Sequence, residues 1–233
     1  MRIFLLAALA ASALAGPAGA ATRNFGIASF TKVRVEGPYR VHVATGVPPY
    51  ARASGSPSGI DRVTVELRGD TLVVKSNPGW GGYPGTDTGP VEVSIGTHDL
   101  ERASLMGAGA IAIDKVKGLS FALTVQGSGT GEIGSASADR LDVTLIGTAN
   151  AKVAGKAEKL SALVRGTSSL DASALDSSNA AISADGTATV SAKVSDTAKV
   201  DAWGPAQVTL TGQPSCELKV SGSTSVSGCK ASH

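Results

Sequence analysis

Aromatic residues and histidine are scarce in this chain. Its 233 residues include four Phe, three Tyr and two Trp, so that aromatics make up 4% of the sequence. A core built from a few large rings is therefore excluded, and stability must come from many contacts among Val, Leu, Ile and Ala. The three histidines, His42, His98 and His233, lack the spacing of a metal site on one strand or helix, so we expect no metal and no cofactor.

An excess of charge of one sign is also lacking. Lys and Arg number 21 against 19 Asp and Glu, and no basic run is interleaved with aromatics. This balance argues against nucleic acid as a partner. The G-x-S-x-G motif of hydrolases with a nucleophilic serine is missing too, and the many serines are interpreted as solvent-facing strand and corner residues.

Only one apolar run is long, and it lies at the amino terminus. Arg2 precedes the apolar residues 3–14, and small residues follow through Ala21. This layout predicts a signal peptide over residues 1–21, with cleavage after Ala20 or Ala21. The run is too short to span a membrane, and no cysteine lies nearby to carry a lipid anchor. We therefore expect an exported protein, periplasmic or extracellular, with no transmembrane segment.

Glycine, by contrast, is abundant and regularly spaced. Seven glycines recur every 18–20 residues: Gly107, Gly127, Gly147, Gly166, Gly186, Gly204 and Gly222. The residues two and four before each glycine are apolar, and the residues between them are mostly polar. This alternation is typical of a half-buried strand. A second alternating strand follows each glycine, with mostly apolar residues four and six positions after it.

Fixed-period repetition of strand, glycine and strand predicts an all-β, right-handed parallel β-helix or β-solenoid with coils of about 20 residues. Residues 22–233 are expected to form one domain, with regular repeats over 101–229. Seven coils stacked at about 4.8 Å would form a rod about 30 Å long. The glycine would supply backbone angles or close packing that a Cβ would obstruct. The apolar residues expected to line a third side are Val116, Leu119, Leu141, Leu160 and Leu175.

The irregular part, 22–100, begins with an outlying copy of the same pattern around Gly37. Residues 60–76 then predict two strands around a tight turn at Gly69. Residues 76–90 are so rich in Gly and Pro that they predict an exposed loop, which carries Trp80 and Tyr83. These two rings are a candidate platform for a sugar ring or a partner surface. The alternative interpretation, which we favour, is that both rings cover a gap in the first coils.

Two cysteines, Cys216 and Cys229, flank the last repeat. In an oxidising compartment they are expected to form a disulfide that closes the terminal coil. Pinning the end of a solenoid would oppose fraying and edge-to-edge association.

Parallel β-helices host enzymes that act on polysaccharides, and these need clustered carboxylates on one outer face. The nearest such group here is Asp114, Lys115, Asp139, Arg140 and Asp142. We interpret these charges as solvated corner residues and expect no catalytic residue.

The residues immediately before the glycines form an outer column, and its apolar members would face water. Side chains alternate between inward and outward along a strand, so the residue before each glycine should point outward. Three of these residues are apolar: Met106, Ile146 and Trp203. Contact with the 76–90 loop, with a second chain or with a ligand would explain them.

The chain resembles the exported bacterial proteins that carry the head GIN domain, described as autotransporter adhesin heads. The resemblance rests on FTKVRVEGPYRVHVATG, VTVELRGDTLVVKS, VEVSI leading to LERASLMGAGAIAI, the repeated units, and VTLTGQPSCELKVSGSTSV. It implies a β-helical, mostly non-enzymatic body outside the cytoplasm. This chain departs from the pattern at Gln213 and in its cysteine pair.

The sequence therefore suggests three candidate functions. The first is an exported adhesion or interaction module that contacts an envelope glycan or a surface protein through Trp80, Tyr83 and Trp203. The second is a β-helix that binds or degrades polysaccharides, using the region of Asp114, Asp139 and Asp142. The third is a structural envelope protein that associates with copies of itself.

Overall fold

The computed structural model describes residues 21–77 and 89–230. The predicted signal peptide lies outside these residues apart from Ala21, the first residue of β1. The described chain contains one short helix, α1 Pro57–Asp61, and sixteen strands. The strands are β1 Ala21–Phe25, β2 Lys32–Glu36, β3 Arg40–Thr45, β4 Tyr50–Gly55, β5 Val63–Arg68, β6 Thr71–Ser76, β7 Glu92–Thr97, β8 Arg102–Gly107, β9 Ala110–Gly127, β10 Thr130–Gly147, β11 Asn150–Gly166, β12 Ser169–Gly186, β13 Thr189–Trp203, β14 Gln207–Thr211, β15 Ser215–Ser221 and β16 Ser225–Ser227.

Strands β9 to β13 are 15–18 residues long because each bends round the solenoid. They pair in parallel, and the register aligns Gly127 with Gly147 and Gly147 with Gly166. The predicted β-solenoid with coils of about 20 residues is thus confirmed. It has about six turns instead of seven, because the coil that contains Gly222 ends with the three-residue strand β16.

Three sides enclose the core. We call the run before each corner glycine the first face, the run after it the second face, and the return to the next coil the third face. Residues two and four before the glycine point inward, and Leu105, Leu123 and Leu145 are fully buried. Such columns of aliphatic residues, stacked coil on coil, supply the apolar burial that the scarce aromatics do not.

One predicted core residue is wrong. Leu119 is 79% exposed, whereas the other residues expected on the third side are buried. Leu119 follows Gly118, whose φ of +135° turns the chain at the edge between the third and first faces. The next inward position is taken by Phe121, which aligns with Leu141 and is 2% exposed.

The corner glycines are needed for both of the reasons expected. Gly147 has φ +103°, which L side chains rarely adopt, and a Cβ there would lie 2.7 Å from the carbonyl oxygen of Gly127. That oxygen accepts a hydrogen bond from the N–H of Thr148 at 2.8 Å. The coils therefore approach each other so closely at this corner that a side chain has no room.

The amino-terminal residues form a cap on the regular coils. The outlying copy of the repeat stacks directly on the first regular unit, since β2 pairs with β8 and β3 with β9, both in parallel. Strands β6 and β5 extend the first face beyond β2, and β5 and β6 form the predicted antiparallel hairpin. Strands β7, β4 and β1 extend the second face beyond β3.

The carboxy-terminal coil is closed by the predicted disulfide between Cys216 and Cys229, whose Cα atoms are 5.7 Å apart. Strand β15 lies on β13 and aligns Leu218 with Val200. Leu218 and Val220 were expected on a half-buried strand, but they are 44% and 51% exposed. Their side chains occupy core positions over which the described chain lays no further coil.

Candidate functional site

The outer column lies along the edge where the first face meets the second. Its members precede the corner glycines and are aligned by the parallel register: Glu36, Met106, Gln126, Ile146, Arg165, Asp185, Trp203 and Ser221. The structure exposes all three apolar members, with Met106 and Ile146 each at 37% and Trp203 at 48%. The outward orientation that parity predicts is therefore confirmed.

The apolar members of the column are spaced along it. Gln126 separates Met106 from Ile146, and Arg165 and Asp185 separate Ile146 from Trp203. With about 4.8 Å between neighbouring strands, Met106 and Trp203 are about 24 Å apart. The column is therefore a line of separate apolar contact points and not a continuous apolar patch.

Charged residues contact the amino-terminal end of the column. The guanidinium of Arg34 lies on the thioether of Met106, with 3.3 Å between Nη2 and Sδ. The same guanidinium pairs with Glu36, with 2.6 Å between Nε and Oε1. Part of the Met106 surface is thus covered by its own chain, and Trp203 is the most exposed of the three apolar members.

Hydroxyl groups form a second outer column beside the first. These residues stand three positions before the glycines and are half-buried: Ser104, Thr124, Thr144 and Ser183, with the apolar Leu163 interrupting the column between Thr144 and Ser183. Ser104 donates its hydroxyl to the carbonyl of Val33 at 3.3 Å. Side by side, the two columns offer apolar contacts and hydrogen-bonding groups along one flat face.

The predicted loop over 76–90 is anchored at the same edge. Ser76 lies at the corner of Gly37, where its Oγ would be 3.6 Å from a Cβ on that glycine, and it hydrogen-bonds to the hydroxyl of Tyr39 at 2.8 Å. The chain returns at Val91, whose carbonyl accepts from Arg40 N–H at 3.2 Å. Trp80 and Tyr83 themselves lie outside the described residues.

Two carboxylates of the polysaccharide hypothesis, Asp114 and Asp142, have structural partners, and the third, Asp139, lines the groove of about 680 Å³ described below. Asp142 pairs with Arg140, with 2.9 Å from Nε to each carboxylate oxygen, and this contact raises the pKa of Arg140. Asp114 accepts hydrogen bonds from the N–H of Thr45 at 3.1 Å and of Lys115 at 2.5 Å. Asp114 lies where the second face ends and Asp142 lies on the first face, so the structure does not bring them together.

Two grooves were not found by sequence reasoning. A groove of about 680 Å³ follows the edge between the third and first faces. Its alanine floor is flanked by Lys159, Asn179, Lys199 and Glu217. These side chains come from different coils, and only the coil register brings them together, so no local sequence signal marks them.

The second groove, of about 620 Å³, lies in the amino-terminal cap and contains Phe25 and Tyr50. Arg52 donates from Nε to Oδ1 of Asn24 at 3.0 Å within it. The ring of Tyr50 lies over Gly96, where any Cβ would overlap it. This contact accounts for the position of the ring, which is a common way for an aromatic residue to cover a glycine on a neighbouring strand.

Shifted pKa values occur at surface pairs outside the outer column. Lys193, whose Nζ is 2.7 Å from Oδ1 of Asp176, lowers the pKa of that carboxyl. Hydrogen bonds from Ser173 lower the pKa of Asp171. Among the described residues, no group of three or more His, Cys, Asp or Glu could hold a metal ion. Within 21–77 and 89–230, no helix is long and apolar enough to cross a membrane.

Solved structures with the same fold include proteins from Bacteroides and Parabacteroides species. A putative adhesin from Bacteroides fragilis superposes with a TM-score of 0.82 at 16% identity, covering 89% of this chain and 96% of its own. A putative lipid binding protein from Parabacteroides distasonis gives a TM-score of 0.70 at 17% identity, with 91% and 97% covered. A putative adhesin from Parabacteroides merdae gives 0.70 at 16% identity, with 91% and 96% covered.

None of the curated proteins matches this chain. The family model described as "Putative auto-transporter adhesin, head GIN domain" matches residues 29–214. The match spans the amino-terminal cap, the regular coils and the start of the terminal coil, which is most of the described solenoid. The chain therefore belongs to the head GIN domain family.

Proposed function

We propose that this chain is an exported, non-enzymatic adhesion module of the bacterial cell envelope and that its outer column contacts the ligand. The observation that carries the proposal is the exposure of Met106, Ile146 and Trp203 along one edge of the solenoid. Large apolar side chains that protrude from a rigid sheet are favourable anchors for binding, and Trp is enriched among the residues that dominate interfaces. The adhesin description of the family supports the same function.

The shape of the column favours an extended ligand. Its apolar members are distributed over about 24 Å along the solenoid axis, and the hydroxyl column runs parallel to them. A polymer lying along the axis would contact both columns, using apolar surfaces on one and hydrogen bonds on the other. An envelope glycan fits this arrangement, and an extended segment of a surface protein is the other ligand of this shape.

Export is part of the proposal. Residues 1–21 have the layout of a signal peptide, and β1 begins at Ala21, beside the expected cleavage positions. The Cys216–Cys229 disulfide is of the kind that persists in oxidising compartments. Both observations support the periplasm or the cell exterior as the place where the module works.

Trp80 and Tyr83 are proposed as further contact residues. The described residues at either end of the predicted loop, Ser76 and Val91, lie at the edge that also bears the outer column. A ligand that follows the column toward the amino-terminal cap would reach the base of this loop. Substituting both rings by alanine is expected to weaken binding, as Trp203→Ala is.

Binding to a glycan array and to purified envelope proteins tests the proposal. Trp203→Ala and Ile146→Ser are each expected to weaken binding at least tenfold, since truncating a residue that anchors an interface costs about 2 kcal/mol or more. Their free energies of unfolding should stay within about 0.5 kcal/mol of the unmodified chain, because both side chains are on the surface.

Leu119→Ser is the matched control. It removes an apolar side chain that is 79% exposed but lies at a different edge of the solenoid, so it should leave binding unchanged. Tyr50→Ala tests the amino-terminal groove in the same assay. Loss of binding in Leu119→Ser or Tyr50→Ala but not in Trp203→Ala would move the site away from the outer column. A large loss of stability in Trp203→Ala would assign that ring to packing.

A further inference from the structure

The carboxy-terminal strand presents an open sheet edge. Among the described residues β15 pairs with β13 alone. Leu218 and Val220 repeat the positions of Val200 and Ala202, which are fully buried, yet they are 44% and 51% exposed. Terminal repeats of solenoids usually carry a polar outer surface that caps the core. Within residues 215–230, the described part of this end, no such cap covers the first face.

The backbone of β15 is oriented to continue the sheet. The carbonyl of Ser221 accepts a hydrogen bond from the N–H of Gly204 at 3.1 Å, on the side of the preceding coil. Because successive strand residues direct their N–H and C=O groups to opposite sides, those of Cys216, Leu218 and Val220 are directed toward the open end. Their side chains are at the inward positions, so apolar surface and unused hydrogen-bonding groups coincide.

The described residues after β16, 228–230, leave this edge accessible at its centre. Cys229 reaches back to Cys216 through the disulfide, and the N–H of Lys230 donates to the carbonyl of Pro214 at 3.0 Å. These contacts lie at the start of β15, next to the third face. They close the terminal coil without covering Leu218 and Val220.

The sequence of β15 is complementary to itself in the antiparallel direction. Two copies of the strand Ser-Cys-Glu-Leu-Lys-Val-Ser can be placed antiparallel with Leu218 opposite Leu218. Serine then lies opposite serine, cysteine opposite valine, and glutamate opposite lysine. Residues that face each other across an antiparallel pair stabilise it when their charges are opposite. Protected edges place a charge at an inward position, whereas here the charges of Glu217 and Lys219 are outward and the inward residues are apolar.

We propose that the open edge of β15 pairs antiparallel with β15 of a second copy of this chain, about a two-fold axis that passes midway between the Leu218 residues of the two copies. Each Glu217 then faces Lys219 of the partner subunit, and Leu218 faces its own equivalent. The axis is perpendicular to the first face, so the two first faces become one continuous sheet and the two cores meet end to end. The contact is isologous and closes at a dimer.

Charge reversal gives a test that is specific for this register. Glu217→Lys alone and Lys219→Glu alone place like charges opposite each other, and each should weaken the dimer about tenfold or more. An equimolar mixture of the two single variants restores both opposite-charge pairs and should form a heterodimer. The double variant carrying both changes should form a homodimer again.

Molar mass is measured by sedimentation velocity on the oxidised chain from residue 22 onward, over micromolar to millimolar concentrations. We expect the mass of the unmodified chain to rise with concentration and to level off at twice the monomer. Lys199→Gln is the control, because it removes the ion pair of Lys199 with Glu217, 3.3 Å between Nζ and Oε1, without changing a residue of the edge. It should leave the dimer intact.

Several results would overturn the proposal. A monomer at every concentration would show that the edge is not used between copies. Growth beyond a dimer would indicate head-to-tail stacking instead of the two-fold contact. A dimer that neither single charge reversal weakens, or single variants that fail to associate when mixed, would exclude pairing about Leu218.

Discussion

Replacing a corner glycine by alanine should destabilise this solenoid through two separate effects. Gly147→Ala forces an L residue to adopt φ +103° and places its Cβ 2.7 Å from the carbonyl oxygen of Gly127. The backbone conformation alone costs about 1–3 kcal/mol. Inserting a methyl group into a closely packed site costs about 1–3 kcal/mol more. We therefore expect the free energy of unfolding to fall by about 2–6 kcal/mol.

Two other glycines separate these effects. Gly118 has φ +135°, but an added Cβ would meet nothing within 4 Å, so Gly118→Ala should lose only the backbone contribution. Gly26 also has open space around it, and its φ is not positive. Gly26→Ala should therefore be near neutral. Urea unfolding, followed by circular dichroism at several wavelengths, measures all three variants and tests whether unfolding is cooperative.

The order of the three losses decides whether the reasoning holds. Gly147→Ala should lose the most stability, Gly118→Ala less and Gly26→Ala least. A loss in Gly147→Ala no larger than that in Gly118→Ala would refute the claim that close approach of the coils requires glycine at the corner. It would leave backbone conformation as the sufficient reason.

Three further predictions concern stability. Leu145→Ala empties a fully buried position and should cost about 2–5 kcal/mol in urea unfolding; a loss below 1 kcal/mol would contradict the packed core. Replacing Cys216 and Cys229 by serine should cost about 2–3 kcal/mol, and reducing agent should then have no further effect. The lowered pKa values of Asp171 and Asp176 stabilise the folded chain above the ordinary carboxyl value of 3.8. This stabilisation is lost as pH falls through the folded pKa values, so the melting temperature should drop below about pH 4, and less steeply in Asp171→Asn; an equal slope would contradict it.

The repeat could be read from the sequence because each coil repeats the same physical requirement. A corner that excludes a Cβ must be glycine in every coil, and inward positions must be apolar, so Gly127 and Leu145 have counterparts about 20 residues away. The alternation of inward and outward side chains along each strand also predicted the exposure of Trp203. These features are local and periodic, and periodic features are visible without a structure.

The misread positions are those where the period ends or is interrupted. Leu119 is apolar, but the turn at Gly118 places it outside, and one apolar residue in a turn does not reveal its direction. Leu218 and Val220 satisfy the inward pattern, yet burial also requires a covering coil, which the pattern of a single repeat does not encode. Burial at a solenoid end depends on the neighbour and not on the repeat.

The sequence did not predict the two grooves, for a different reason. Lys159, Asn179, Lys199 and Glu217 come from successive coils, and their meeting depends on which residues the parallel register aligns. Glycine spacings of 18 to 20 residues shift this alignment from coil to coil. The partner of Tyr50 across the sheet, Gly96, likewise follows from an antiparallel pairing in the cap that no repeat predicts.

Tryptophan fluorescence tests the proposed role of the outer column most directly, because the chain contains only two tryptophans. In Trp80→Phe, Trp203 is the sole indole, and it can be titrated with purified envelope polysaccharide or a purified surface protein that the unmodified chain binds. We predict a saturable change in Trp203 emission with the same midpoint as binding. Binding without any change at Trp203, in a variant that folds normally, would contradict a ligand site on the outer column.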